Sequence, residues 1–257
     1  MAKLDIEQIL VLQDNYIYLL HDPETGATAV VDPSVSEPVL ERLAAKGWRL
    51  THILNTHHHA DHTDGNLALK AATGAQVIGA RHDAQRLPGL DAGVGDGDIV
   101  QIGAASARVM AMPGHTLGHI AYWFADSLAV FCGDTLFALG CGRLFEGSPA
   151  QMWQSLLTLR GLPDETQVYC AHEYTQANAR FARTIEPANA ALTARVKDID
   201  AARARRQPTV PSLLSVERAT NPFLRADSAA VKTAIGLPAD ADPAQVFAEI
   251  RRRKDVF

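Results

Sequence analysis

Ile53-Leu54-Asn55-Thr56-His57-His58-His59-Ala60-Asp61-His62 starts as a buried strand and ends in a loop crowded with side chains that bind metal. Residues two apart in extended chain point to the same side, so His57 and His59 share a direction that His58 does not. Asp61 and His62 come after the chain has turned and can address the same cavity from a second side. The ordinary alternatives are a solvated histidine run or a purification tag. Position inside the fold excludes a tag, and H-x-H-x-D-H arises by chance in a chain of this length only about once in a thousand.

Strands and helices alternate on either side of this stretch. Gln8 to Leu12, Tyr16 to His21 and Ala27 to Val31 read as strands, with Asp22 to Gly26 as a turn. Val39, Leu40, Leu43 and Ala44 fall on one helical face that Gly47 closes. Strand His52 to Leu54, a helix from about Gly65 to Thr73 and strand Gln76 to Ala80 continue the alternation. A meander of four strands follows at Asp98 to Ile102, Ala107 to Ala111, His119 to Phe124 and Leu128 to Cys132. Ser148-Pro149 starts a helix that runs to Gly161, and Thr166 to Cys170 is one more strand. After that the β signal stops. Residues 174–206 keep helical spacing, Gln207 to Ser212 breaks it, and Ala226 to Ile235 and Pro243 to Lys254 read as further helices. The expectation is an α/β domain over residues 1–172 followed by a smaller all-α domain over residues 173–257.

One short segment cannot close a two-metal site, so other strand ends must supply ligands. Met112-Pro113-Gly114-His115-Thr116, Phe131-Cys132-Gly133-Asp134-Thr135 and Tyr169-Cys170-Ala171-His172-Glu173 each put a ligand type just past a strand. Singly, His115 reads as a turn residue, Asp134 as a helix cap and His172 as a half-buried histidine. Together, on one edge of one sheet, they favour a site.

The chain of 257 residues is 47% hydrophobic and 21% charged, an ordinary globular composition. Its net charge of -5 argues against nucleic acid or an anionic membrane as main partner. The average hides a split. Residues 1–172 carry 10 Lys and Arg against 19 Asp and Glu, whereas residues 173–257 carry 14 against 10. Acids near the N-terminus, no apolar run of spanning length, and three cysteines that form no disulfide framework or zinc knuckle point to a protein of the reducing cytoplasm.

T-H-x-H-x-D-H, the Pro-Gly-His turn, the Gly-Asp turn and the final His, in this order, resemble the metallo-β-lactamase superfamily, whose fold is an αββα sandwich with a metal site on one edge. Within it the chain resembles the glyoxalase II, or hydroxyacylglutathione hydrolase, family. Asp14 to Leu20, Gly140 to Gly147, His172 to Thr175, Ala219 to Arg225 and Arg251 to Asp255 carry that closer likeness. The resemblance implies that His57, His59 and His115 hold one divalent cation, that Asp61, His62 and His172 hold another, and that Asp134 bridges them. Zinc is the first expectation, with iron and manganese left open by a mixed His/Asp donor set. His58 matches a non-ligand position. Asp32 reads equally as a partner orienting a ligand histidine or as a turn cap.

The resemblance further implies that Arg143, Tyr174, Arg251 and Lys254 contact a glutathione thioester, with Phe145 standing where members of the family have Tyr. Arg251 and Lys254, three apart on a helix, share a face that suits a carboxylate. The implied reaction is hydrolysis of S-D-lactoylglutathione by a monomer acting on a small molecule. Two cations about 3.5 to 4 Å apart acidify a water they share, and a thiol of pKa about 8.5 leaves without a dedicated acid. The competing readings are a mononuclear-iron glutathione persulfide dioxygenase and a metal-dependent binding module without catalysis.

Overall fold

Apolar runs such as Tyr16-Ile17-Tyr18-Leu19-Leu20 suit a strand covered on both faces, and all five of these side chains are buried. The computed structural model describes residues 3–257; Met1 and Ala2, the first residues of the N-terminus read above, lie outside the described residues. Strands β1 (Asp5–Val11), β2 (Asn15–His21), β3 (Ala27–Val31), β4 (Arg49–Leu54), β5 (Gln76–Ala80) and β6 (Ala92–Val94) form one sheet in sequential order. Pairing is antiparallel from β1 to β3 and parallel from β3 to β6. Parallel neighbours need a crossover. Helix α1 (Glu37–Lys46) supplies the one between β3 and β4; α2 (Ala60–Thr63) and α3 (Asn66–Thr73) supply the one between β4 and β5. Gly47 and Gly74 end α1 and α3 in the left-handed conformation that a Cβ would penalise.

Alternation sorts the sheet's side chains. Ile17, Leu19, Val30, Ile53 and Val77 pack with Val39 and Leu43 of α1 and Leu69 of α3. The opposite face meets an antiparallel meander of β7 (Ile99–Ile102), β8 (Ala105–Ala111), β9 (Ile120–Phe124) and β10 (Ala129–Gly133). Tyr18 of β2 packs edge-on against Phe131 of β10 at 5.4 Å between centroids. The Tyr122 hydroxyl donates to the carbonyls of Asn55 and Ile78 at 3.1 and 3.3 Å, joining the meander to the end of β4 and the middle of β5.

The chain divides into two compact units. Among the described residues one holds 3–112 and Gly118–Gly133; the other holds Pro113–Leu117 and Asp134–Phe257. The second contains the hairpin β11 (Leu136–Phe137) and β12 (Gly140–Cys141), α4 (Pro149–Arg160), β13 (Gln167–Cys170), α5 (Thr175–Ile185), α6 (Ala190–Ala204), β14 (Ser212–Leu213), α7 (Leu214–Thr220), α8 (Ala229–Ala234) and α9 (Pro243–Asp255). Its compactness groups α4 and β13 with the helical segment: Trp153 of α4 lies 6.4 Å from Phe247 of α9. The α/β layers followed by helices agree with the expected fold class. Ser148 caps α4 in a full capping box, as its sequence suggests.

The helical stretch 174–206 is two helices rather than one run. Pro187 interrupts it, and the Asn189 side chain accepts from the Leu192 amide to start α6 afresh. The short elements β6, α2, β11, β12, β14 and α7 have no counterpart in the sequence reading, since two to seven residues are too few to show a clear period. Among the described residues no helix is long and apolar enough to cross a membrane.

In the second unit Glu217, with no solvent exposure, accepts from the Leu139 amide at 2.9 Å and from Asn221 Nδ2 at 3.1 Å, and pairs with Arg195. Glu217→Leu strips three donors of their acceptor at once, so it is expected to cost about 3 kcal/mol, read as a lowered midpoint in urea unfolding.

Candidate metal centre

Register places the first half of the centre. Val31 pairs with Leu54 across the parallel strands β3 and β4, so Asp32 emerges beside Asn55 and Thr56. Its carboxylate accepts the Thr56 amide at 2.8 Å, the Thr56 hydroxyl at 2.6 Å and His62 Nδ1 at 3.1 Å. A carboxylate acceptor makes Nδ1 the protonated nitrogen of a neutral His62 and leaves the Nε2 lone pair for a cation. The structure thereby gives Asp32 the orienting contact that its sequence left open against a turn cap. Asp32 has φ 49°, a left-handed conformation that aspartate tolerates better than most residues.

From Thr56 the chain runs through His57, His58 and His59 into α2. His57 and His62 are buried, and His57 Nε2 lies 3.0 Å from His59 Nδ1. His62 Nε2 lies 3.5 Å from an Asp61 carboxylate oxygen. Asn15 Nδ2 donates at 3.1 Å to both the carbonyl and the carboxylate of Asp61, fixing that side chain. Asn15 belongs to the Asp14-Asn15-Tyr16 segment, which sequence reasoning used for resemblance without giving the Asn a role. The first unit therefore brings together His57, His59, Asp61 and His62.

The second unit brings together the other three. His115 Nδ1 lies 2.8 Å from the Arg143 carbonyl, an acceptor, so its proton sits there and Nε2 is open. His115 Nε2 lies 3.5 Å from one oxygen of Asp134, and His172 Nε2 lies 3.5 Å from the other. Such spacings exceed a good hydrogen bond. They match neighbouring donors around a tetrahedral cation, where ligand distances of about 2.0–2.1 Å set donor atoms about 3.4 Å apart. The two oxygens of Asp134 address two different imidazoles, which suits a carboxylate shared by two ions. Imidazole nitrogens and carboxylate oxygens, with tautomers set by outer acceptors, are the donor set of borderline divalent metals, so these residues fit such an ion.

The expected substrate contacts also lie in the second unit. Tyr174 stacks on His172 with centroids 4.7 Å apart and rings 1° from parallel, and Phe145, 62% exposed, meets the His115 ring at 5.1 Å. Arg143 is exposed. Lys254 Nζ lies over the rings of Phe181 and Phe257 at 5.3 and 5.4 Å. Burial first, then the charges of Arg251, Arg180 and Arg143, hold its ammonium below the ordinary lysine pKa. Arg251 is only 5% exposed; its guanidinium donates to the Cys141 carbonyl at 3.1 Å and pairs with Asp255 at 2.8 Å. Helical spacing foresaw the face Arg251 shares with Lys254, but neither its depth nor its carboxylate partner.

Residues 12–172 match the model of the metallo-beta-lactamase superfamily, and residues 173–257 match that of the hydroxyacylglutathione hydrolase C-terminus. The hydroxyacylglutathione hydrolase of Methylococcus capsulatus is 63% identical over 254 residues, 99% of this chain and 99% of that protein. That of Rhodospirillum rubrum is 61% identical over 257 residues, covering all of both. Among solved structures, ETHE1 from Myxococcus xanthus is similar at a TM-score of 0.70 and 29% identity, over 96% of this chain and 90% of that one.

Gly142 is the backbone keystone of the second half. A Cβ there would lie 2.0 Å from the Asp134 carbonyl oxygen and 3.1 Å from His115 Nδ1. Backbone cannot yield as a side-chain tip can, so Gly142→Ala is expected to displace Asp134 and His115 together. Metal affinity should fall at least about tenfold, measured by chelator competition on folded protein.

Proposed function

The chain belongs to the hydroxyacylglutathione hydrolase family of the metallo-β-lactamase superfamily, a family of metal-dependent hydrolases, and from that premise we propose that it hydrolyses S-(2-hydroxyacyl)glutathione thioesters. The substrate is S-D-lactoylglutathione, and the products are glutathione and D-lactate, the second step of methylglyoxal detoxification. The supporting observation is Asp134, whose two oxygens face His115 and His172 at 3.5 Å each. In this reading His57, His59 and His115 hold one zinc ion, Asp61, His62 and His172 hold a second, and Asp134 joins the two sets.

Two such ions, when bound, acidify water to neutral pH and polarise a thioester carbonyl. The remaining work falls to side chains. Asp32 and the Arg143 carbonyl hold the protons of His62 and His115 on Nδ1. The stacked Tyr174 and edge-on Phe145 flank His172 and His115 and form an apolar wall for the thioester. Lys254 and Arg143 take the carboxylates of glutathione, and residues 173–257 serve as the substrate-binding domain. Arg251 joins them when a substrate carboxylate replaces Asp255 on its guanidinium. Proton donation to the leaving group is unnecessary, because a thiolate with conjugate-acid pKa about 8.5 departs readily. The enzyme works as a cytoplasmic monomer; Cys132, Cys141 and Cys170 are buried and not disulfide-bonded, as a reducing compartment allows.

Purified protein with its metal quantified should hydrolyse S-D-lactoylglutathione, and Asp134→Ala should lower kcat at least about a hundredfold. Wild-type turnover in Asp134→Ala would sink the shared-carboxylate reading. Lys254→Ala removes a charge contact worth about 1.4 kcal/mol, so KM should rise about tenfold with kcat little changed. A neutral thioester lacking the glutathione carboxylates should show no such difference.

A further inference from the structure

Three consecutive histidines pose a selection problem. His57, His58 and His59 carry the same donor atoms, and an imidazole with an open lone pair next to a metal loop is a competing ligand. Alternation turns His58 away from its neighbours only while the loop stays extended. Something must hold it there.

The first unit shows what holds it. His58 Nδ1 lies 3.1 Å from a carboxylate oxygen of Asp83, and His58 Nε2 lies 3.1 Å from Nη1 of Arg86. Arginine only donates, so Nε2 must be the accepting nitrogen and Nδ1 the donor to Asp83. Both ring nitrogens are thereby engaged, and the one lone pair that could reach a cation points at a guanidinium. The grip is itself anchored. Asp83 is 1% exposed, and its other oxygen receives Arg86 Nη2 at 2.5 Å and His82 Nδ1 at 2.9 Å. A Cβ on Gly118 would lie 2.3 Å from the Asp83 carboxyl carbon, so the carboxylate packs directly on the Gly118 backbone. Next to Gly118, the His119 ring stacks on His57 at 4.7 Å and 19°. The Asp83 carboxylate therefore has His58 on one side and the segment supporting His57 on the other.

We propose that Asp83 and Arg86 are positioning residues of the metal centre, which engage both ring nitrogens of His58 so that His57 and His59 alone of the three histidines face the metal. The proposal rests on the assignment of His57 and His59 as ligands. Neither Asp83 nor Arg86 touches substrate; both act through His58.

Cobalt(II) substituted into the full chain reports ligand identity through its visible spectrum, and chelator competition gives its dissociation constant. Arg86→Ala, at a side chain 38% exposed, opens the His58 lone pair with little risk to folding; Asp83→Asn weakens the other contact. Each is expected to change the cobalt spectrum and weaken binding about tenfold or more. Adding His58→Asn to either variant removes the competitor and should restore the wild-type spectrum and affinity. An unchanged spectrum and affinity in Arg86→Ala and Asp83→Asn overturns the proposal, as does a defect that His58→Asn fails to rescue. A failure of the ligand assignment looks different: His57→Asn and His59→Asn would then leave cobalt binding intact in the otherwise wild-type chain.

Discussion

A buried carboxylate with three donors sets the geometry from which the rest follows. Asp32 sits at 3% exposure, where an unpaired charge would be prohibitive, and it takes two donors from Thr56 and one from His62. Those donors exist there because the parallel register of β3 and β4 sets Asp32 beside the first loop residues after Leu54. Satisfying the charge therefore fixes the exit direction of the histidine loop and the tautomer of His62 in the same stroke. A residue in a left-handed conformation at a strand end, costing about 1–3 kcal/mol, persists because its surroundings over-determine it.

The second unit solves the same problem with backbone. His115 is oriented by the Arg143 carbonyl, and the chain comes close enough for that contact because Gly142 presses against the Asp134 carbonyl. Gly147 also packs closely on Gly114, which precedes His115. Ligands on loops are mobile by default. Here glycines at points of backbone contact replace loop freedom with close packing, and the cost is that none of these positions accepts a side chain.

The candidate ligand side chains stand out in the sequence because each follows a strand, where alternation ends and a short motif carries the turn. Helix α4 was legible from Ser148-Pro149, and α1 from Gly47, since caps are local chemistry. Contacts of long range were not. Nothing near Asp83 in sequence marks it as the partner of His58, 25 residues earlier, and nothing in the 251–255 segment says that Arg251 lies buried while Arg252 is exposed. Helical period gives a direction around an axis; depth depends on what packs there. The break at Pro187 is masked in the sequence pattern because the flanking Ala and Arg residues keep helical spacing on both sides. The grouping of α4 and β13 with the helical segment depends on tertiary packing such as that of Trp153 with Phe247.

The basic balance of residues 173–257 changes meaning once partners are assigned. Arg195, Arg203 and Arg225 pair with Glu217, Glu173 and Glu186, and Arg252 and Arg253 share Glu249. The first three pairs join separate segments of the unit and the Glu249 pairs lie along α9, so much of that charge is not a field aimed at a ligand. Lys254 differs: it rests on two aromatic rings, and three arginines contribute to its lowered pKa. A carboxylate docking there would relieve that repulsion and raise the lysine's hold on its proton. Linkage fixes the sign of the consequence: affinity for an anionic substrate is full below the pKa of the free lysine and is lost as pH rises through the pKa of the bound one. In the proposed substrate-binding reading, such a contact would draw on the local crowding of cations around Lys254 more than on the net charge of the segment.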